Sequence, residues 1–415
     1  MSKALITTSL KALRRLAVAK QRLTGKLPQR ATKEHLVSVV GDLCYVQWDP
    51  VDAVAPSHMI SLWSRVGHFR RSDLEGLLWD DRKLFLHWNP ASIVRTEDYP
   101  ICHSLMRRYP ESISKSWGGW RRSASKFLDE HKMLRKRLLS ELRKKGPLRA
   151  NQFQDYARIK SSPEWTSGSD VSSMLFHLLM KGEVMVVGHE GNQNVWGLAE
   201  GFLPKWVERR VLTEDEFERA AAQRAIRALG IASSREIHYY FPRARYLKLE
   251  KTIEGLENES MILRVHIEGL GERDECYIHE RDIPELELMD GDEWEPRMTL
   301  LAPFDNLICE RGRTNRIFGF DYKHENFLPP SKREFGTFVH PILCGDMLIG
   351  RADLLRAKTR EKLLVKSVHA EPHAPADRGI GSKIRETIED LAEFVGAKRV
   401  EYTSHVPVQW KNSLR

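Results

Sequence analysis

A weak internal repeat between residues 126 and 280 most constrains how this chain can fold. Each copy predicts three helices followed by two strands that a short turn joins. The elements expected in the first copy are helices at 134–142, from Ala150 and at 171–181, then strands at 183–187 and 195–198. Those expected in the second copy are helices at 213–229, from Ser233 and at 251–257, then strands at 261–265 and 276–278. Three helices with a two-stranded wing form the winged-helix arrangement, in which the third helix holds the recognition position.

The chain is long enough for several domains and carries an uneven positive charge. Its 415 residues have a formal net charge of +9 and a pI of about 9.2, which favours an acidic partner. Between Arg107 and Arg149 there are 14 Lys or Arg against 4 Asp or Glu, and residues 1–33 contain no acid. One such run can be a solvated helix face, but two runs with interleaved aromatic residues favour phosphate binding. Lys115, Arg121 and Arg122 are therefore predicted to contact DNA.

Several classes of site find no support in the sequence. The five cysteines form no C-x-x-C pair, so neither a zinc cluster nor a disulfide framework is indicated, and a reducing cytoplasm fits this usage. The pattern His369-Ala-Glu371 resembles half of a zinc deaminase signature, but the second half is absent. No H-E-x-x-H, Walker or Rossmann pattern occurs, and no apolar stretch reaches 18 residues. We expect no metal, no cofactor and no membrane span.

The tripeptide Gln47-Trp48-Asp49 follows a short apolar run and stops at Pro50. In an extended segment, side chains two positions apart share a face, so Gln47 and Asp49 are expected to project together while Trp48 packs the other way. A neighbouring amide and carboxylate can position a water molecule and stabilise a developing positive charge. The same pair could instead cap a helix or bond a turn near Pro50. Trp48 is more typical of a core than of a stacking platform.

The remaining segments complete a prediction of five parts. We expect an N-terminal winged-helix domain with the Gln-Trp-Asp motif at 1–125, and further winged helices at 126–205 and 206–280. A β-rich domain is predicted at 281–405 and a loose tail at 406–415. The resulting fold class is α+β.

Seven stretches carry a resemblance to a known family. They are Gln47–Asp49 with Val51-Asp52 after it, Leu62–Gly67, Lys145–Leu148, Leu301–Asp305, Phe318–Phe320, Lys332-Arg333 and Leu348–Asp353. Together they resemble the YcaQ/AlkZ-like DNA glycosylases, bacterial winged-helix proteins that unhook interstrand crosslinks. The resemblance covers nearly the whole chain in the same order. The family motif is Gln-x-Gln or Gln-x-Asp, and this chain has the second form, which is similar to the YcaQ branch.

The resemblance implies a fold, an activity and a set of site residues. The fold would be tandem winged helices with a C-terminal β-barrel-like domain, which together form a curved basic cleft around double-stranded DNA. The activity would be hydrolysis of the N-glycosidic bond of N7-alkylated purines and unhooking of interstrand crosslinks, by a monomer in the bacterial cytoplasm near the nucleoid. Asp49 and Gln47 would be catalytic. Arg65, Lys332 and Arg333 would contact DNA, although Arg65 could equally pair with an acid.

The chemistry of such a reaction agrees with the motif. Alkylation at N7 places a positive charge on guanine and makes the base a good leaving group, so charge stabilisation and a positioned water matter most. A carboxylate supplies both, and no lysine nucleophile is needed. The alternative function is a winged-helix DNA-binding protein without catalysis, such as a transcription regulator. Only the Gln47 and Asp49 pair and the large C-terminal domain favour the enzyme over the regulator.

Overall fold

The structure is a computed structural model that describes residues 5–88, 91–113, 117–153, 170–191, 193–270, 275–291 and 294–414. It confirms an α+β fold with several separate sheets. Of the residues predicted to contact DNA, Lys115 lies outside the described residues.

The first described elements lie against a distant part of the chain. They are β1 (Leu5–Ser9) and α1 (Leu10–Lys20). Ser9 caps the helix, because its hydroxyl accepts a hydrogen bond from the Ala12 amide at 3.0 Å. β1 pairs in parallel with the strand Ile262–Glu268. The N-terminal segment therefore extends the sheet of residues 206–280, whereas the predicted division placed it with residues 1–125.

Several basic residues of the N-terminal segment contact other parts of the chain. Four of them bond to other parts of the chain: Arg14 to the Ile317 carbonyl, Arg15 to the Met289 carbonyl, Lys20 to Asp282 and Arg22 to Asp42. Arg14 and Arg15 donate to backbone carbonyl oxygens, whereas Lys20 and Arg22 form ion pairs. Tertiary contacts therefore involve these four residues, and the expectation that the run 1–33 binds phosphate stays a prediction.

Residues 33–95 form the first unit, which contains the motif. Its elements are α2 (Lys33–Asp42), β2 (Val46–Gln47), α3 (Ser57–Val66), α4 (Arg71–Trp79), β3 (Leu84–Trp88) and β4 (Ala91–Arg95). The sheet order is β2-β4-β3. α2 begins after Thr32, whose hydroxyl accepts the His35 amide at 3.4 Å and so caps the helix. The loop 48–56 separates β2 from α3 and carries Asp49. Two further helices follow this unit, α5 (Tyr99–Arg107) and α6 (Gly118–Glu130).

Residues 132–202 form the second unit. Its elements are α7 (Lys132–Lys145), β5 (Leu148–Arg149), α8 (Asp170–Met180), β6 (Val184–Glu190), β7 (Gln193–Leu198) and the short α9 (Ala199–Phe202). The sheet order is β5-β7-β6. The hairpin and the helix before it lie where the sequence predicted them. Of the helix expected from Ala150, only a 3₁₀ turn over Ala150–Gln152 is described.

Residues 214–288 form the third unit. Its elements are α10 (Glu214–Leu229), β8 (Ile231–Ser233), α11 (Ser234–Tyr240), α12 (Leu249–Asn258), β9 (Ile262–Glu268), β10 (Cys276–His279) and α13 (Ile283–Leu288). Capping boxes at Thr213 and Ser233 begin α10 and α11 where the sequence predicts those helices. Gly230 ends α10 with a φ of +80°, and a Cβ there would come within 2.9 Å of the Leu16 side chain of α1. Glycine is thus required both by the backbone and by the packing of α1.

The three units share one connection pattern. In each, a helix is followed by a short strand, then by helical segments and a hairpin. The short strand pairs with the second strand of the hairpin: β2 with β4, β5 with β7, and β8 with β10. The first unit follows the same order as the other two.

The C-terminal region is built on the sheet β11-β12-β13-β14-β15. Its elements are β11 (Met298–Leu300), α14 (Arg311–Phe318), β12 (Val339–Cys344), β13 (Met347–Arg356), β14 (Lys362–Ala370), α15 (Arg378–Phe394), β15 (Arg399–His405) and α16 (Lys411–Leu414). The resemblance implied a β-barrel-like domain. The sheet is open, because the edge strands β11 and β15 do not pair with each other in the described residues. α15 packs on it through Ile384, Ile388 and Leu391. The sheet therefore buries its apolar side chains without closing.

The predicted loose tail is wrong for residues 406–414. Trp410 and Leu414 are fully buried in the core beside α15. The Trp410 indole donates a hydrogen bond to the Pro375 carbonyl at 3.0 Å. A Cβ at Gly381 of α15 would come within 2.7 Å of Ser413, so the missing side chain lets the last helix approach. The buried Trp410 and the close approach of the last helix to α15 therefore fix this segment.

The first unit lies at the junction of the hydrophobic cores. Tyr45 belongs to a core shared with the third unit, and Val46 to a core shared with the second. Val54 belongs to the core of the C-terminal sheet. Residues 45–54 therefore connect three cores, and this fixes the backbone on both sides of the motif. Among the described residues, no helix is long and apolar enough to span a membrane.

Candidate active site

The motif leaves the edge of the first sheet in an extended conformation. Val46 pairs with Ile93 and Gln47 with Ser92, and the Trp48 amide donates to the Ala91 carbonyl at 2.8 Å. Gln47, Trp48 and Asp49 are all half-buried. The sheet therefore holds the backbone of the motif until just before Asp49.

Trp48 is a packing residue that joins two units. Its indole stacks between His58 of α3, at 4.1 Å between ring centroids, and His189 of β6, at 5.6 Å. Burial lowers the pKa of His58 to about 3, assisted by Arg71, while a hydrogen bond to the Asp49 backbone opposes the shift. The ring is thus neutral near pH 7 and stacks without a charge. The expectation that Trp48 belongs to a core is confirmed.

The Asp49 carboxylate is held by two short-range contacts. One oxygen accepts the Val51 amide at 3.1 Å, and the other accepts the Ser57 hydroxyl at 3.4 Å. Ser57 is the first residue of α3, so the carboxylate lies near the partial positive charge of a helix N-terminus. Among the described residues, no Lys or Arg forms an ion pair with it. The contact with Val51 is the hydrogen bond within a turn near Pro50 that the sequence analysis gave as an alternative. It leaves further lone pairs of the carboxylate available.

Asp49 lines a small cavity between the first unit and the C-terminal region. Its walls are formed by the loop 49–57 on one side and by Pro303, Phe304, His324, Phe338 and His340 on the other. The loop is anchored to the C-terminal sheet, since the Arg356 amide donates to the Ala53 carbonyl at 2.8 Å. Two regions 250 residues apart in sequence therefore build one site.

The histidines of the cavity do not neutralise Asp49. Burial lowers the pKa of His340 to about 4, and its Nδ1 lies 3.0 Å from the Leu301 carbonyl, to which it donates. Burial also lowers the pKa of His324, against the opposing charge of Asp49. The His324 Nδ1 accepts the Asn326 amide at 3.3 Å, which leaves the ring proton on Nε2. Near pH 7 both rings are neutral, so Asp49 faces polar groups without a cationic histidine.

Lowering the pH from 7 to 5 is expected to reduce the free energy of unfolding, in part through His340. Its pKa is 6.5 in a solvated chain and about 4 in the fold. The unfolded state therefore binds a proton below about pH 6.5 that the native state does not bind until about pH 4, and stability is lost as pH falls through this window. The loss at pH 5 is about 2 kcal/mol for one such group.

Urea denaturation at pH 7 and pH 5 measures this loss, with His340→Gln as the comparison. The glutamine does not titrate, so the variant should lose about 2 kcal/mol less between the two pH values. Equal losses in both proteins would show that His340 does not stay neutral in the fold.

Arg65 does not face a phosphate. Its side chain is fully buried and forms a bidentate ion pair with Asp305, with distances of 2.7 and 2.8 Å. It also donates to the backbone carbonyls of Gln21 and Ser61, both at 2.8 Å. The predicted DNA contact is therefore wrong, and the alternative of a structural pair with an acid is confirmed. Two of the family-like stretches, 62–67 and 301–305, meet through this pair.

The other residues predicted to contact DNA differ in their exposure to solvent and in their hydrogen bonds. Arg121 and Arg122 are exposed on α6, and Lys332 is exposed in the loop before β12. Arg333 is half-buried, and it bonds to the Leu328 and Asn326 carbonyls and to the Thr337 hydroxyl. Arg333 therefore stabilises the loop 326–337 through these hydrogen bonds, a structural role that the sequence did not indicate. None of these four residues lies in the Asp49 cavity.

Sequence reasoning missed the far wall of the cavity. Phe304 lies in the stretch Leu301–Asp305, which carried the resemblance, but nothing in its spacing linked it to Asp49. His324 and His340 follow no recognised pattern. Only the packing of the loop 48–56 against the C-terminal sheet brings these side chains beside the motif.

Two comparisons with known proteins agree with this architecture. The family model for DNA glycosylase AlkZ-like proteins matches residues 40–394. Among solved structures, the DNA glycosylase AlkZ of Streptomyces sahachiroi is similar to this chain with a TM-score of 0.63, at 15% sequence identity. The match covers 96% of this chain and 100% of that protein. At this identity the structural match shows a shared fold, while the family match spans most of the sequence and both walls of the cavity. The chain belongs to the AlkZ-like DNA glycosylase family.

Proposed function

We propose that this protein is a monofunctional DNA glycosylase that hydrolyses the N-glycosidic bond of N7-alkylated purines and unhooks interstrand crosslinks. The observation that carries the proposal is the Asp49 carboxylate, which is fixed at a cavity by the Val51 amide and the Ser57 hydroxyl. Among the described residues it has no Lys or Arg partner, and its histidine neighbours are neutral near pH 7. A fixed and uncompensated negative charge suits stabilisation of an oxocarbenium-like sugar.

Gln47 is proposed to orient the attacking water. It lies two residues before Asp49 at the end of β2, where the pairing with Ser92 fixes its backbone. An amide can both donate to and accept from a water molecule. Asp49 would then accept the proton of that water as the glycosidic bond breaks.

The residues around the cavity support hydrolysis over a covalent lysine mechanism. The described lining residues include Asp49, Ser57 and two histidines but no lysine. A Schiff base with the sugar carbon needs an amine within reach. The proposed reaction therefore ends at an abasic site without strand cleavage, and it needs no metal or cofactor.

We further propose that the three units are winged helices that form a curved basic cleft around duplex DNA. Their common order of helix, short strand, helical segments and hairpin supports this assignment, as does the pairing of the short strand with the hairpin. Arg121, Arg122 and Lys332 are the exposed candidates for phosphate contacts. The protein would act as a monomer in the bacterial cytoplasm, near the nucleoid.

The direct test is incubation with a duplex that carries one N7-methylguanine. Base release should leave an abasic site that alkali cleaves, with full activity in EDTA and no protein–DNA adduct after borohydride. A duplex crosslinked by a nitrogen mustard should be resolved into single strands on a denaturing gel after the same treatment. Duplex binding without base release would favour the non-catalytic DNA-binding protein instead.

Duplex affinity is expected to fall steeply as salt concentration rises, with little sequence preference. Each phosphate that a Lys or Arg neutralises contributes about 0.9 to the slope of log affinity against log salt. Arg121→Gln with Arg122→Gln should therefore lower the slope by about 2. Lys398→Gln, which removes an exposed cation of the C-terminal sheet, is the control and should leave the slope unchanged. An unchanged slope in the double variant would exclude α6 from the DNA-binding surface.

A further inference from the structure

An exposed aromatic side chain lies beside the cavity that contains Asp49. Phe327 is 78% exposed, and it ends the short 3₁₀ helix Glu325–Phe327. This helix directly follows His324, which is one of the cavity walls. A single exposed apolar residue is ordinary on a protein surface. The surroundings of Phe327 are what distinguish it.

Phe327 is the outer member of a series of aromatic rings that begins in the cavity. Phe304 and His324 stack with their centroids 4.7 Å apart and their planes 16° from parallel. His324 and Phe327 follow at 5.9 Å and 35°. Phe304 and His324 both line the cavity with Asp49. The series therefore leads from the candidate catalytic carboxylate to the surface.

The loop that presents Phe327 is held in place from within. The Glu325 carboxylate accepts the backbone amides of Glu334, Phe335 and Gly336 at 2.9–3.1 Å. Arg333 closes the same loop by donating to the Asn326 and Leu328 carbonyls. These bonds fix the backbone on both sides of Phe327, so the exposed ring projects from a loop that needs no ordering.

We propose that Phe327 stacks on the purine whose glycosidic bond lies at Asp49, and that its π face favours an N7-alkylated purine. A nucleobase is a flat ring that extends such a series, and stacking on aromatic side chains is a general mode of base recognition. Alkylation at N7 makes the base cationic, and a cation is attracted to the negative face of an aromatic ring. Lys332, exposed on the same loop, would hold the neighbouring phosphate. The inference rests on the proposed function, because it assigns the substrate contact of the same site.

Binding of two duplexes tests this stacking separately from catalysis. One duplex carries N7-methylguanine on a 2′-fluoro sugar, which resists hydrolysis, and the other carries unmodified guanine. The wild-type protein should prefer the methylated duplex. Phe327→Leu, which keeps an apolar side chain without a π face, should lose about 10-fold in affinity for that duplex. Its affinity for the unmodified duplex should stay within about two-fold, since phosphate contacts dominate there.

Two further variants make the result specific. Phe327→Tyr keeps the aromatic face and should retain the preference of the wild type. Val408→Ala, at an apolar side chain that is 91% exposed in the C-terminal region, should change neither affinity. The inference would be overturned if Phe327→Leu lost the same affinity for both duplexes. It would also be overturned if Phe327→Leu still preferred the methylated duplex as strongly as the wild type does. If the wild-type protein releases no N7-methylguanine from an ordinary duplex, the proposed function fails instead.

Discussion

Asp49→Asn is expected to lower the rate of base excision by about 10³-fold or more while duplex affinity stays within about three-fold. The substitution keeps the size of the side chain and can keep the hydrogen bonds to the Val51 amide and the Ser57 hydroxyl. It removes the negative charge, which is needed mainly when positive charge develops on the sugar. Single-turnover excision of N7-methylguanine, with affinity measured on the hydrolysis-resistant duplex, separates the two effects.

Asp52→Asn is the matched control for this experiment. It makes the same chemical change three residues later, where the carboxylate pairs with Arg360 at 2.7 Å. It should leave excision near the wild-type rate, because that pair lies outside the residues that line the cavity.

Gln47→Ala should reduce excision less than Asp49→Asn does, since positioning of water contributes less than charge stabilisation. An excision rate near that of the wild type in Asp49→Asn would show that Asp49 is not catalytic. A larger loss of excision rate in Gln47→Ala than in Asp49→Asn would show that Gln47, and not Asp49, makes the larger contribution.

Arg65→Leu is expected to lower the free energy of unfolding by about 3–5 kcal/mol. The substitution leaves the Asp305 carboxylate fully buried and without its bidentate partner. It also removes the donor to the Gln21 and Ser61 carbonyls. Because an uncompensated buried charge is costly, the destabilisation should exceed that of a surface ion pair. Denaturant and thermal unfolding measure it.

The double variant Arg65→Leu with Asp305→Leu distinguishes burial of charge from other causes. Removing both charges should recover a large part of the lost stability, because no unpaired charge then remains. The slope of DNA affinity against salt should not change in Arg65→Leu, since this side chain does not reach the surface. A lower slope would restore Arg65 as a phosphate contact and contradict its buried position.

Local signals in the sequence were enough to predict most elements of the units. The helices predicted from residues 213 and 233 begin there with capping boxes, because a cap needs only residues within one turn of each other. The short apolar run before the motif likewise indicated a strand, which ends at Gln47, and the prediction that Trp48 packs against a core is confirmed. The order of helices and hairpins between 126 and 280 followed from the same short-range patterns.

Contacts between distant residues decided what the sequence could not. Nothing near Arg65 reveals that its partner is Asp305, 240 residues away. The charge of the run 1–33 did not indicate that Arg14, Arg15 and Lys20 bond to residues more than 250 positions away. The burial of Trp410 depends on a glycine of another helix.

The site divides in the same way between sequence and tertiary structure. The candidate carboxylate and amide could be predicted from the sequence, since Gln47 and Asp49 lie within one short segment. The cavity, with Phe304, His324 and His340 as its far wall, was decided only by the packing of the loop 48–56 on the C-terminal sheet. Hydrophobic burial is non-directional and depends on which surfaces meet, so local pattern cannot specify which distant side chains surround Asp49.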